Sequence, residues 1–196
     1  MSARVWRTIG SFALALVTAG LAAIVASAHH TDLTDPNDTR GKLDIEEVHL
    51  AHDVRPPVWT VVTYARWGIH QMWDRGYVEL ILDTRRDERP EYYVLVRADV
   101  WTLEGTLWRI RPKGRDVDLG AVPVKRRSLD SLSVEVGMWR LEFGDRRTSY
   151  RWRVHTMFTG DVCPRSCHDF APDVDAEAVI QWRPGMSPTP TVSPSP

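Results

Sequence analysis

The chain has 196 residues, of which 43% are hydrophobic, 26% charged and 9% aromatic, a globular composition of single-domain size that excludes collagen, coiled coil and wholesale disorder. The 25 basic residues nearly balance the 26 acidic ones, for a formal charge of −1, and the lack of a basic excess argues against a nucleic-acid partner.

The first segment reads as a secretory leader over residues 1–28. Arg4 and Arg7 form a positive n-region, Ile9 to Val25 an apolar stretch, and Ala26-Ser27-Ala28 a small-residue cleavage site, so that His29 begins the mature chain. An uncleaved anchor is the competing reading, because about 17 apolar or small residues lie at the lower limit for crossing a bilayer; Gly10, Ser11, Thr18 and Gly20 weaken it. Loss of Arg4 and Arg7 with the leader takes the charge from −1 to −3. With no second apolar run, the expectation is a secreted protein without membrane contact after cleavage. Residues 29–39 read as a flexible acidic segment, 40–183 as the folded domain, and 184–196, rich in Ser, Thr and Pro, as a disordered tail that serves as a terminus or a spacer.

Within the domain the apolar residues alternate, which predicts half-buried strands rather than helices. Strands are expected at Leu43–His52, Val58–Trp67, Tyr77–Asp83, Tyr92–Val100, Leu107–Arg111, Val117–Val124, Leu132–Val136, Met138–Phe143, Tyr150–Phe158 and Val179–Trp182. Val78, Leu80 and Leu82 share one face, as do Tyr150, Trp152, Val154 and Thr156. Short strands joined by turn-rich segments without intervening helices predict an all-β fold, an antiparallel β-sandwich of jelly-roll or immunoglobulin-like type. Most of Trp59, Trp101, Trp108, Trp139, Trp152 and Trp182 are expected in its core. Trp67 and Trp73 fall where alternation breaks down, in Arg66-Trp67-Gly68-Ile69-His70-Gln71-Met72-Trp73, and read as rim indoles that stack on a sugar or cap the core.

Candidate chemistry begins at Asp35-Pro36-Asn37-Asp38, with Asp44 six residues on. Calcium takes six to eight oxygen ligands, and Asp35, Asn37, Asp38 and Asp44 can begin such a shell, with Gly41 letting the chain fold back. Turn chemistry accounts for the same residues. The late Asp169 and Asp173 are candidates to complete the shell. A second acidic loop, Asp83 to Glu91, carries Arg85, Arg86 and Arg89 and reads as a salt-bridged hairpin, not a calcium loop. Cys163 and Cys167, the only two cysteines, predict a disulfide across a short loop in an exported protein. If His29 is the mature N-terminus, its amine and ring form half of a copper-binding histidine brace, the partner coming from His30, His49, His52, His70 or His155. Hydrolase, phosphate-loop and dinucleotide motifs are missing from the sequence.

Three stretches together resemble a group of secreted bacterial β-sandwich domains similar in outline to DOMON and family-9 carbohydrate-binding sandwiches. They are Asp35-Pro36-Asn37-Asp38 before Leu43-Asp44-Ile45, the Asp83-Thr84 hairpin before Tyr92-Tyr93-Val94-Leu95-Val96, and Cys-x-x-x-Cys before Asp169-Phe170-Ala171-Pro172-Asp173. The resemblance spans about residues 35 to 175 and implies a sandwich, a disulfide and a metal at Asp35, Asn37, Asp38 and Asp44. It does not bring haem or sugar ligands with it. Arg85, Arg86 and Glu88 replace the Asn and two Gly of the related hairpin, which argues against calcium there. The functional expectation is a non-catalytic binding or accessory module with a structural calcium ion; the alternatives are glycan binding through Trp67 and Trp73, or a copper oxidase built on His29.

Overall fold

The computed structural model describes residues 30–52, 56–73, 75–143, 149–160 and 162–179. The segment read as a leader, the cleavage site expected after Ala28, His29, Trp182 and the Ser/Thr/Pro-rich C-terminal segment lie outside the described residues.

Two antiparallel sheets account for nearly all of the regular secondary structure among the described residues. The first orders its strands β1 (His30–Thr34), β2 (Ile45–Ala51), β3 (Val58–Thr63), β9 (Ser131–Glu135) and β8 (Val124–Arg126). The second runs β11 (Cys163–Val179), β10 (Ser149–Gly160), β4 (Gly76–Asp83), β5 (Tyr92–Ala98), β6 (Leu103–Arg109) and β7 (Val117–Val122). A single-turn helix, α1 (Ile69–Met72), carries the chain from β3 across to β4.

Alternation explains why these segments are strands and what they bury. Val48 and Leu50 of β2, Trp59 and Val61 of β3, and Leu132 and Val134 of β9 all turn inward. So do Val78, Leu80 and Leu82 of β4, Val94 and Val96 of β5, and Tyr150, Trp152, Val154 and Thr156 of β10. The two layers meet at Trp59, whose ring packs edge-on against Tyr150 (6.3 Å between centroids) and Trp152 (6.5 Å) of the opposite sheet. Such aromatic edges add to the burial energy of the rings themselves.

The structure departs from the sequence expectations at four places. The strand expected from Val117 to Val124 breaks at Pro123, which has no N–H for a ladder; β7 ends before it in one sheet and β8 begins after it in the other. Met138–Arg140 is a 3-10 turn, not a strand, and leaves Trp139 68% exposed. Trp101, also expected in the core, is 82% exposed in the β5–β6 hairpin. Finally, strands form where loops were expected: the acidic N-terminal segment opens with β1, paired to β2 from His30↔Ala51 to Thr34↔Glu47, and the cysteine segment continues into the long edge strand β11.

Register places the connections that matter at one end of the sandwich. Thr34 lies opposite Glu47, Ile45 opposite Thr63, Gly76 opposite Phe158, and Tyr77 opposite Arg97. The β1–β2 segment, α1, the β5–β6 hairpin and the start of β11 therefore share that end.

Candidate metal centre at the acidic corner

Asp35 leaves the end of β1, Asp38 follows in the loop, and Asp169 comes in from β11. Oxygen atoms of these three carboxylates lie within 4.8 Å of one another. Calcium–oxygen bonds of about 2.3–2.6 Å separate ligands on opposite sides of one ion by about 4.6–5.2 Å, so the three fit a single coordination sphere. Asp35 and Asp169 are buried, at 7% and 5% exposure, while Asp38 opens to solvent.

Local hydrogen bonds fix this geometry. Asp169 Oδ2 accepts the Ile45 N–H at 2.6 Å and keeps a lone pair, while Oδ1 accepts the Phe170 N–H at 2.9 Å and lies 3.5 Å from the Thr39 hydroxyl. The Thr39 hydroxyl donates to the His168 carbonyl at 3.2 Å, tying the loop to β11. Tyr64 donates its hydroxyl proton to the Asp35 carbonyl at 2.6 Å. Gly41 takes φ +131°, and a Cβ there would stand 3.1 Å from Cys163 Sγ and 3.2 Å from Phe158 Cδ1; the loop follows this path without strain only with glycine.

Among the sequence-predicted ligands, Asp35 and Asp38 belong to the trio. Asp44 is 3% exposed and serves the loop itself, its Oδ1 accepting the Thr39 N–H at 3.4 Å. Asn37 and Asp44, with Tyr64 and Val162, line an adjoining cavity of about 430 Å³. Asp169, named in the sequence only as a late candidate, proves central; its approach to Asp35 depends on β10–β11 pairing, which no local pattern announces. Asp173 is exposed, yet near enough for its charge to act on Asp35.

Crowding these carboxylates together disfavours their ionised forms. Burial first, then the charges of Asp169, Asp38, Asp173 and Asp44, push the Asp35 carboxyl up to about 7. Burial, with Asp169 and Asp38, pushes Asp44 up to about 6 against the lowering effect of the Thr39 amide. Asp169 is raised by burial, with the Ile45 and Phe170 amides opposing. A divalent cation would remove this repulsion.

Two other groups of potential ligands occur among the described residues. Asp83, Asp87 and Glu91 also approach within 4.8 Å, but the Asp83 oxygens accept the N–H groups of Arg85 and Glu88 at 3.0 Å, and Arg85 Nε lies 3.6 Å from Glu91 Oε1. On the outer face of the first sheet, His49 Nδ1 lies 2.8 Å from Asp32 and Nε2 3.2 Å from Glu47. The other histidines weighed for a brace are dispersed. His52 Nε2 meets the Thr31 hydroxyl at 3.4 Å, His70 sits on α1, and His155 lies on the other sheet.

The two rim tryptophans part ways. Trp67 is buried at 3% exposure, in keeping with the core-capping reading and not with an open platform: its ring is covered by the Arg126 guanidinium, 4.4 Å from the centroid, and the same Arg126 hydrogen-bonds the Trp67 carbonyl. Trp73 is 50% exposed. The Cys163–Cys167 disulfide is formed, as expected, and none of the described helices is long and apolar enough to cross a membrane.

Comparison with protein-family models, with curated proteins and with solved structures returned no match.

Proposed function

We propose that this protein is an exported, non-catalytic binding or accessory module whose acidic corner holds a structural calcium ion. One observation carries the reading: Asp35, Asp38 and Asp169 bring their oxygens inside the span of one calcium sphere, while burial and mutual repulsion hold Asp35 up to about 7. The ion binds the loop after β1 to β11, neutralises the carboxylates, and takes its remaining ligands from water, backbone carbonyls and Asn37. Oxygen-only donors favour calcium over metals that prefer nitrogen or sulfur. The export reading rests on the leader-like N-terminus and is compatible with the disulfide.

Thermal unfolding at neutral pH, in EDTA and in calcium, tests this. Calcium at a hundred times its dissociation constant should stabilise the fold by about 2.7 kcal/mol. Asp38→Ala, at an exposed position, should abolish the response without disturbing the core. Equal midpoints in EDTA and calcium would end the reading.

Glycan binding is the second reading, and exposure supports it in altered form. Trp73 remains accessible, and Trp101 and Val100 extend from the β5–β6 hairpin at the same end of the sandwich. Open indole faces suit stacking on sugar rings. Affinity electrophoresis against soluble glycans should show retardation that Trp73→Ala or Trp101→Ala removes; unretarded migration on every glycan would dismiss it.

A further inference from the structure

On the outer face of the second sheet, a line of polar groups crosses three strands. Glu79 Oε2 of β4 lies 3.1 Å from His155 Nδ1 of β10; His155 Nε2 lies 3.0 Å from His168 Nδ1 of β11; and His168 Nε2 lies 3.0 Å from Ser166 Oγ. An ionised carboxylate only accepts, so Glu79 holds His155 in the tautomer protonated at Nδ1, with the Nε2 lone pair directed at His168. The 3.0 Å contact is then a hydrogen bond donated by His168 Nδ1–H to His155 Nε2, with the Ser166 hydroxyl donating to His168 Nε2; an ion that binds both facing nitrogens takes the place of that one proton, after which His168 Nε2–H donates to Ser166 Oγ.

We infer that His155 Nε2 and His168 Nδ1 form a chelating pair for an imidazole-seeking transition-metal ion, with copper(II) favoured by the affinity order of divalent metals. Metal–nitrogen bonds of about 2.0 Å place neighbouring ligand nitrogens about 2.8–3.3 Å apart, depending on geometry. The 3.0 Å separation falls within that interval. Both remote ring nitrogens already face oxygen partners, the outer-shell arrangement that orients metal-binding histidines and raises their basicity.

The ring of His155 is also held in place before any ion arrives. It stacks on Phe170, with centroids 4.3 Å apart and planes 8° apart, and meets the edge of Tyr77 at 5.5 Å. The Arg153 guanidinium closes over Phe170 at 5.2 Å. His155 is 8% exposed, whereas His168 is open to solvent, so an ion enters from the His168 side and completes its coordination with water. Met157, opposite His168 in the β10–β11 register, adds a thioether-bearing residue to the same strand face. This site lies across β11 from the acidic corner, since Asp169 points inward where His168 points outward, and it does not depend on calcium.

Copper(II) titration of the purified protein, followed by electron paramagnetic resonance and calorimetry, tests the site. Wild type should bind one equivalent whose spectrum shows imidazole nitrogen coupling and which His168→Ala removes. His168 is exposed, so this variant should keep its fold, verified by circular dichroism, and its calcium response should be unchanged. Glu79→Gln should weaken that equivalent about 10–100-fold, and His49→Ala should leave it in place, separating it from copper held by the Asp32–Glu47–His49 group. If His168→Ala binds every equivalent that wild type binds, or if only His49→Ala loses one, the inference is wrong.

Discussion

Asp169 accepts the backbone N–H of Ile45 at 2.6 Å across 124 positions of the chain. That bond pins edge strand β11 to the first residue of β2, and the same carboxylate faces Asp35 and Asp38. Asp169→Ala leaves a buried N–H unpaired and should cost about 1.5–3 kcal/mol in urea unfolding even in EDTA. Asp169→Asn keeps an acceptor for Ile45 while removing a charged ligand, so it should lose the calcium response and retain most of the calcium-free stability. Equal effects of the two variants in EDTA would show that the bond to Ile45 contributes little.

The raised carboxyls set a pH dependence that calcium should reverse. Asp35 at about 7 and Asp44 at about 6 hold their protons more tightly in the folded chain than in the unfolded one, where they titrate near 4. Their contribution to stability is complete below pH 4 and is lost as pH rises through 6 and 7, because the folded state then gives up protons the unfolded state has already released. In EDTA the midpoint should therefore fall between pH 5 and 8. A calcium ion at this corner would bind the ionised form, so its stabilising effect should grow over the same interval. Midpoints measured at half-unit steps with and without calcium check both slopes, and a calcium-free midpoint that rises from pH 5 to 8 would contradict the assignment.

Gly41 makes the tightest demand on the loop that carries Asp38. Its φ of +131° is strained for any other residue, and a Cβ would press on the disulfide sulfur of Cys163 and the ring of Phe158. Gly41→Ala should cost about 1–3 kcal/mol and weaken calcium binding, since overpacking forces shifts in whichever neighbour can give. Replacing both cysteines with serine should cost about 2 kcal/mol through the entropy of a very short closed loop. In that background Gly41→Ala should be less harmful, because the sulfur it strikes is no longer locked in place. A double-mutant cycle on urea midpoints measures the relief, and strict additivity would refute it.

Central strands were legible in the sequence because their alternation survives burial on one face: β4, with Val78, Leu80 and Leu82, and β10, with Tyr150 through Thr156, agree with the expectation to within a residue or two at their ends. Edge strands were not. Among its described side chains β1 contributes only Leu33 to the core, and β11 contains Pro164 and Pro172 and a register shift opposite Trp152–Val154. Prolines and bulges are tolerated at a sheet edge, so a segment that looks like a loop still pairs. The acidic corner was half legible for the same reason: Asp35 and Asp38 are neighbours in sequence, but their closeness to Asp169 follows from where that edge strand lies.

Trp67 shows how a break in periodicity can mislead, and it separates a structural indole from a binding one. The backbone around Trp67 leaves the strand pattern to reach α1, but the ring turns back into the core beneath Arg126. Trp67→Ala should cost about 3–5 kcal/mol, the usual loss for a buried indole. Arg126→Ala removes the cation over the ring face and the hydrogen bonds of its guanidinium to the Trp67 and Leu129 carbonyls, and should cost about 1–2 kcal/mol. Trp73→Ala and Trp101→Ala, at exposed positions, should shift stability by less than about 0.5 kcal/mol. Any glycan retardation should follow the second pair of residues and survive Arg126→Ala. A Trp67→Ala protein that unfolds at the wild-type urea concentration would place its ring on the surface and reopen its role as a ligand platform.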